Sequence, residues 1–219
     1  MNNKLRLWIV LLLLAGVTSA CSQVLPVPSA ASDAARGDVL FQDDFSSTGS
    51  GWATWSQESS EVSYRSGGLS IRVSQPRYDY WSRPGKRFTD TIIAVDASRV
   101  SGSDNNDFGV ICRYRNSDNF YAFLISSDGY YGIVRVHEGQ YQVLGADSLQ
   151  FAETIQQGDA ANQIQAECNG PNLTLAVNGS VLHQVQDSAF QSGEVGLLAG
   201  AYDEPGVEVL FDNFIVIKP

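Results

Sequence analysis

The sequence predicts an all-β domain in which two antiparallel sheets pack face to face. Many short segments show the two-residue period of a strand, as residues 108–114 do. Turn signals rich in glycine and asparagine separate these segments, and Asn178-Gly179 is a strong hairpin signal. Only residues 146–158 lack a strand period, and we expect them to form a loop or one turn of helix. Many short strands with almost no helix are the pattern of a two-sheet sandwich.

The centre of the chain, residues 106–136, predicts three successive strands that form an antiparallel meander. These strands cover residues 108–114, 120–125 and 130–136. A polar turn at residues 115–119 joins the first two strands. Ser127-Asp128-Gly129 joins the second to the third, because glycine tolerates a positive φ and aspartate bonds its own backbone.

Strands of the same kind are predicted on both sides of this meander. Before it they cover residues 39–45, 61–64, 69–73 and 88–100. After it they cover residues 140–144, 164–168, 173–177, 181–185, 194–200 and 207–217. Residues 75–86 contain two prolines and three clustered aromatic residues, and they are predicted to be a loop.

The first 20 residues have the three parts of a secretory signal peptide. Lys4 and Arg6 form a basic start, and residues 7–17 form an apolar run that is too short for a membrane span. The ending, Thr18-Ser19-Ala20-Cys21, resembles a bacterial lipobox, although Thr18 departs from the aliphatic residue common there. The resemblance implies an exported protein of the cell envelope, anchored to a membrane by lipid on Cys21. The alternative is an ordinary signal peptide cleaved near Ala20.

The sequence after the leader divides into a tether and a folded domain. Residues 21–37 are rich in serine, alanine and proline and show no strand period, which is typical of a flexible tether. Residues 38–219 are predicted to form one β-sandwich domain, which we expect to be a monomer. The whole chain has a formal net charge of −10, and its leader is basic. This charge argues against nucleic acid or anionic lipid as a partner, because both require a basic surface.

Three cysteines are present, and two of them remain if Cys21 carries lipid. Cys112 lies in the middle of a predicted strand, and Cys168 ends another. In an oxidising compartment such a pair suits a disulfide between strands or between sheets. Two buried free thiols or a metal site are the alternatives, and a metal is disfavoured because no histidine or further cysteine lies at ligand spacing.

The C-terminal half carries a resemblance to a known group of domains. The residues that carry it are LTLAVNGSVLHQVQD at 173–187, SGEVGLLAG at 192–200 and VEVLFDNFIV at 207–216. This order of strands resembles concanavalin A-like lectin and glucanase domains, including laminin-G-like modules and 3-keto-disaccharide hydrolase domains. FQDDF near residue 43 extends the resemblance to residues 39–217. It implies a two-sheet jelly-roll sandwich, and it leaves the function open because this fold serves enzymes and binding proteins alike.

Sugar binding requires aromatic rings that stack on pyranose faces and polar groups that bond hydroxyls. The candidate residues for this role are Tyr78, Tyr80, Trp81, Arg113, Tyr121 and Tyr131. Arg113 is opposite in phase to the apolar positions 108, 110 and 112, and this phase predicts that it lies on the open face of a sheet. The alternative is that the aromatic residues fill the core and cover its ends.

Many domains of the resembled group hold a structural calcium between the first and last strands. The matching acids here are Asp43, Asp44 and Asp212, and calcium prefers such oxygen ligands. The alternative is that Asp212 caps or pairs with nearby backbone. We expect no other cofactor.

A catalytic arrangement is not recognisable in the sequence. A glycosidase needs two carboxylates across one sugar, whereas Asp104 and Asp107 are assigned to a turn and Glu194 stands alone. The sequence therefore favours a non-catalytic module that binds a glycan or another cell-surface ligand. A glycoside-active enzyme is the second hypothesis, and two carboxylates within catalytic distance of each other in the groove would favour it. A protein-binding or envelope-scaffold module is the third, and a flat sheet face would favour it.

Overall fold

The computed structural model describes residues 36–219 of the chain, and these residues contain seventeen strands and no helix. The first nine are β1 (Val39–Asp43), β2 (Trp55–Ser56), β3 (Ser60–Arg65), β4 (Gly68–Val73), β5 (Tyr78–Ser82), β6 (Arg87–Phe88), β7 (Thr91–Ser101), β8 (Asn106–Asn116) and β9 (Asn119–Ile125). The others are β10 (Tyr130–His137), β11 (Gln140–Val143), β12 (Gln150–Phe151), β13 (Asn162–Asn169), β14 (Asn172–Val177), β15 (Ser180–Gln186), β16 (Gly193–Ala201) and β17 (Val207–Ile217).

The predicted leader, the lipidation site at Cys21 and nearly all of the tether lie outside the described residues. The anchor and the location in the cell envelope therefore stay predictions. Within residues 36–219, no helix is long and apolar enough to cross a membrane.

The strands form two antiparallel sheets, as the sequence predicts. Sheet A has the order β15-β14-β13-β7-β17-β4-β3-β2, with β1 paired to β17. Sheet B has the order β11-β10-β9-β8-β16-β5, with β12 paired to β10 and β6 paired to β16. The predicted meander is the run β8-β9-β10 in the middle of sheet B, with β8 and β9 in register from Phe108 opposite Ile125 to Cys112 opposite Tyr121.

The core lies between the two sheets and is built from alternate residues of each strand. Representative members are Ile71 of β4, Val95 of β7, Val110 of β8, Phe123 of β9, Leu175 of β14 and Phe211 of β17. A disulfide joins Cys112 of β8 to Cys168 of β13, so it connects sheet B to sheet A. The predicted inter-sheet disulfide is confirmed.

Several segments of the chain differ from the sequence-based prediction, and one of them is residues 146–158, which contain the short strand β12 paired with β10. Two others meet at β16. Residues 78–82, predicted to be loop, form β5 and pair with β16 from Tyr78 opposite Ala201 to Ser82 opposite Leu197. Asp107, predicted to be in a turn, lies in β8 opposite Gly200 of the same strand β16. Both segments pair with a strand more than 90 residues later, and this long-range pairing overrides the local turn signals.

The prediction that Arg113 lies on an open sheet face is wrong. Its backbone has a positive φ of 53°, and the pairing of β8 shifts register here against both neighbouring strands. Such a β-bulge turns the following residues to the opposite face. The Arg113 side chain is 2% exposed and lies among the loops at one end of the sandwich.

Candidate functional site

Sheet B carries a second buried apolar surface on the face that points away from the core. Its members are Ile111, Phe120, Ala122, Leu124, Val134, Val136 and Leu198. On this face Tyr141 of β11 and Asp79 of β5 line one cavity, although four strands separate β11 from β5. In a flat sheet these strands would lie roughly 24 Å apart, at ~4.8 Å per strand. Sheet B therefore curls around this face, which we call the concave face.

The cavity on the concave face, which we call the acidic cavity, has a volume of about 340 Å³. Its main walls are Asp79, Asp107, Leu124, Tyr141, Leu149 and Tyr202. Leu124 belongs to the apolar surface of the sheet, and Leu149 lies over Gly132 of β10. Two tyrosines and two aliphatic residues thus surround a pair of carboxyl groups.

The two carboxyl groups are brought together by three adjacent strands. Gly200 of β16 pairs with Asp79 of β5 on one side and with Asp107 of β8 on the other. A Cβ atom on Gly200 would lie 1.9 Å from Oδ1 of Asp107 and 2.3 Å from Oδ1 of Asp79. The two oxygens are therefore separated by no more than the sum of these distances. Only glycine at position 200 leaves room for both carboxyl groups.

The surroundings of the pair favour the protonated form of at least one carboxyl group. Burial raises the pKa of Asp107 well above its usual value, and the nearby charge of Asp79 raises it further. Burial also raises the pKa of Asp79. Hydrogen bonds from Tyr202 to Asp107 and from Tyr141 to Asp79 oppose these shifts. The cavity can thus present a carboxyl donor and a carboxylate acceptor side by side.

A second cavity, which we call the polar cavity, adjoins the first and has a volume of about 540 Å³. Tyr202 and Leu149 line both cavities. The other walls of the polar cavity are Asn105, Asn106, Ser126, Asp128, Tyr130 and Ser148. Three tyrosines of the two cavities expose much of their surface: Tyr141 is 56% exposed, Tyr130 41% and Tyr202 39%. Partly exposed tyrosines and short polar side chains therefore line two adjoining cavities.

The structure distributes the six predicted ligand-binding residues over several places. Trp81 lies on the concave face, where its ring packs 5.4 Å from that of Phe120. Tyr78 and Tyr80 stack on each other at 6.3 Å and alternate with Asp79 along β5, so they point to the other face.

The remaining three predicted residues lie away from the acidic cavity. Tyr121 is fully buried on the core side, and Tyr131 packs against the core beside His183. Burial and a hydrogen bond to Asp187 raise the pKa of Tyr121 to about 12. Arg113 lines a different cavity, of about 320 Å³, together with Asp90 and Phe190.

The three acids proposed to bind calcium do not form a cluster that could hold a metal ion in the described part of the chain. Asp43 instead accepts hydrogen bonds from the backbone N–H of Phe45 and from Nε1 of Trp52, both at 2.8 Å. Asp44 bonds Ser46, and Asp212 accepts from the N–H of Asn213. Calcium binding by these acids stays a prediction, which chelation would check.

Replacing Asp107 with asparagine is expected to stabilise the domain at neutral pH and to leave it unchanged in acid. Because the pKa of Asp107 is raised in the folded protein, this residue keeps a proton at pH values where the unfolded chain has already lost it. The free energy of unfolding of the wild type therefore falls as the pH rises from about 3.8, the pKa of Asp107 in the unfolded chain, to the higher pKa of Asp107 in the folded protein. Above this higher pKa the loss is complete. Asparagine avoids this loss, which is on the order of 1–3 kcal/mol for an uncompensated buried group.

Urea unfolding of both proteins over a series of pH values would measure the difference. Asp147→Asn, which removes the same charge from an exposed position, provides the control and should show no such trend. A stability difference for Asp107→Asn that stays constant from acid to neutral pH would contradict the expectation.

Comparison with solved structures places this architecture among known folds. The carbohydrate-binding module CBM66 from Bacillus subtilis gives a TM-score of 0.62 at 15% identity, over 77% of this chain and 96% of the module. A Bacillus subtilis protein of unknown function with a galectin-like fold gives 0.60 at 13% identity, over 84% and 97% of the two chains. Bacillus licheniformis beta-glucanase gives 0.61 at 10% identity, over 82% and 98%.

This chain has a concanavalin A-like jelly-roll fold. The likeness covers almost the whole of each of these three chains, and at such low identities it concerns the fold alone. The fold expected from the sequence resemblance is therefore confirmed. No protein-family model matches the sequence, and no curated protein matches it.

Proposed function

We propose that this protein binds a glycan, without cleaving it, in the acidic and polar cavities of the concave face. The observation that carries the proposal is the pair of adjoining cavities in which the partly exposed residues Tyr141, Tyr202 and Tyr130 lie beside polar groups. Sugars present apolar C–H faces and a ring of hydroxyls, so they need aromatic platforms together with donors and acceptors. A carbohydrate-binding module and a beta-glucanase among the structures of similar fold support the same proposal.

The groups along the two cavities match the two kinds of contact that a sugar needs. In the acidic cavity, Asp79 and Asp107 can bond neighbouring hydroxyls. In the polar cavity, Asn105 and Asp128 offer further donors and acceptors, and Tyr202 stands between the two groups. A ligand longer than one sugar unit could therefore contact both cavities at once.

Replacing Tyr202 with alanine is expected to weaken glycan binding roughly 30-fold, because an aromatic anchor at the centre of a site contributes about 2 kcal/mol. The experiment uses the full chain in detergent and a broad panel of polysaccharides and oligosaccharides, with and without a calcium chelator. Isothermal titration calorimetry then measures the affinity of each variant for the best ligand.

Tyr78→Ala is the matched control, because Tyr78 is also an exposed tyrosine, at 51%, and its side chain points to the other face of sheet B. We expect this variant to bind as the wild type does. Equal affinity of Tyr202→Ala and the wild type would place the site elsewhere. A panel from which no glycan is retained would contradict the proposal.

A glycoside-active enzyme is the second candidate, and the pair of Asp79 and Asp107 is the observation that favours it. In glycosidases the two carboxyl groups stand about 5–5.5 Å apart, or about 6.5–9.5 Å apart when water attacks directly. The nearest oxygens of this pair are closer than either separation, which leaves no space for a sugar between them. Non-catalytic binding therefore remains the proposal, and release of reducing ends that Asp107→Asn abolishes would favour the enzyme instead.

A flat sheet face would favour the third hypothesis from the sequence, a protein-binding or scaffold module, whereas this face is concave. We further propose that the domain is exported and tethered to a membrane through lipid on Cys21. In that arrangement the tether would hold the glycan-binding domain away from the membrane surface.

A further inference from the structure

The acid pair of the acidic cavity has no cationic partner among the described residues. Nine ion pairs are present in that part of the chain, and none includes Asp79 or Asp107. Arg77 is the one basic side chain that the structure places in the lining of this cavity. Its Nη2 atom lies 3.7 Å from Oδ1 of Asp203, and its side chain is 82% exposed. The charge of the pair is therefore not compensated from within the domain.

Of the other buried acids, Glu208 has a cationic partner, and Asp43 is satisfied by two N–H donors instead. Glu208 is 7% exposed, and its carboxylate receives hydrogen bonds at 2.8 Å from Arg65 and from Ser70. Asp107 is 5% exposed and faces into the cavity with only a phenol as a partner. A buried carboxylate without a counter-charge is costly, so such a group either holds a proton or gains from a ligand that supplies the counter-charge.

We propose that the acidic cavity selects glycans that carry a free, protonated amino group over neutral or acidic glycans. The proposal rests on the proposed function and names the class of sugar that the site prefers. An ammonium group placed between Asp79 and Asp107 would offset the repulsion of the pair and make charge-assisted hydrogen bonds to both. The rings of Tyr141 and Tyr202 in the same walls add an electrostatic attraction for a cation. A volume of about 340 Å³ suits one sugar unit with such a substituent.

The test compares three tetramers of the same linkage that differ only at one ring position. Glucose carries a hydroxyl there, N-acetylglucosamine carries an acetamide and glucosamine carries an amine. Calorimetry with the full chain in detergent, at about pH 6 where the amine is protonated, should give at least tenfold tighter binding of the glucosamine tetramer. The double variant Asp79→Asn/Asp107→Asn should bind the three tetramers about equally. Thermal unfolding of this variant checks that it is still folded.

A double control separates the site from the general attraction of an acidic protein for a cation. Asp147→Asn/Glu58→Asn also removes two negative charges, from exposed positions outside the cavity, and it should keep the full preference. Loss of the preference in this control would overturn the inference in favour of non-specific attraction.

The outcomes for the inference and for the proposed function can be told apart. Equal or tighter binding of the glucose tetramer overturns the inference and leaves glycan binding standing. Binding of another glycan from the panel, with none of the three tetramers bound, also overturns it. Absence of binding to the tetramers and to the whole panel overturns both.

Discussion

Replacement of Arg113 by methionine should lower the free energy of unfolding by about 3–5 kcal/mol, the usual effect of removing one member of a buried, hydrogen-bonded charge group. The free energy of unfolding of a folded domain is only about 5–15 kcal/mol. The variant should therefore be close to unfolding at physiological temperature. Methionine has a similar length and keeps the apolar contacts, so the change isolates the guanidinium.

The size of this effect follows from the number of groups that one side chain satisfies. Nε of Arg113 donates to the carbonyl of Thr89 at 3.1 Å, and Nη1 donates to the carbonyls of Gly170 and Phe190 at 2.8 and 2.9 Å. Nη2 lies 3.0 Å from Oδ1 of Asp90. Burial lowers the pKa of Arg113, and the charge of Asp90 opposes that shift. Without the guanidinium, the buried carbonyl group of Phe190 loses its donor, as do the part-buried carbonyl groups of Thr89 and Gly170. The loss at a buried group costs about 1–3 kcal/mol.

Urea unfolding followed by tryptophan fluorescence would measure the loss, with linear extrapolation to water. Arg115→Met is the matched control in the same strand, because Arg115 is exposed and its guanidinium only lies over the ring of Phe190, 5.1 Å from the centroid. That variant should lose about 1 kcal/mol or less. If Arg113→Met were as stable as Arg115→Met, the prediction would be wrong, and water would have replaced the guanidinium as the hydrogen-bond donor to the carbonyl groups.

Arg113 also shows where reading the strand from the sequence fails. The alternation of residues 108, 110 and 112 correctly places Phe108, Val110 and Cys112 in the core. The same alternation predicts that residue 114 points inward, yet Tyr114 packs with Ile111 on the opposite face. The bulge at Arg113 inserts one residue and reverses the phase. A positive φ at arginine leaves no local signal, since glycine, asparagine and aspartate are the usual residues there.

The acid pair was missed for a different physical reason. Asp79 and Asp107 lie on strands that do not pair with each other, because β16 lies between them. The sequence shows each acid next to turn-forming residues and does not show which later strand will pair with both. By contrast, the Asn178-Gly179 hairpin depends on neighbouring residues only, and β14 and β15 meet there as predicted, with Val177 opposite Ser180. Local turns were therefore predictable, and a site assembled across three strands was not.

Removal of the disulfide by Cys112→Ala/Cys168→Ala should destabilise the domain by roughly 4 kcal/mol in the chain-entropy description. The two cysteines are 56 residues apart in the sequence, so the cross-link closes a long loop in the unfolded chain. Both side chains are fully buried between the sheets. The comparison is made by urea unfolding of the wild type and the double variant without reductant.

A reductant provides the internal control for this prediction. It should lower the unfolding midpoint of the wild type toward that of the double variant and leave the double variant unchanged. A double variant within about 1 kcal/mol of the oxidised wild type would mean that the unfolded chain is already compact enough to make the cross-link redundant.

The disulfide and Arg113 act on the same junction, so their contributions should not add. Cys168 ends the part of β13 that pairs with β7. Two residues later, the carbonyl of Gly170 accepts a hydrogen bond from Arg113, the neighbour of Cys112 in β8. Both interactions thus hold the β13–β14 turn of sheet A against one point of sheet B. Once the disulfide is removed, the turn is free to move away, and the guanidinium has less to hold in place. We therefore expect the triple variant to lose less stability than the sum of the two separate losses, by about 0.5–3 kcal/mol.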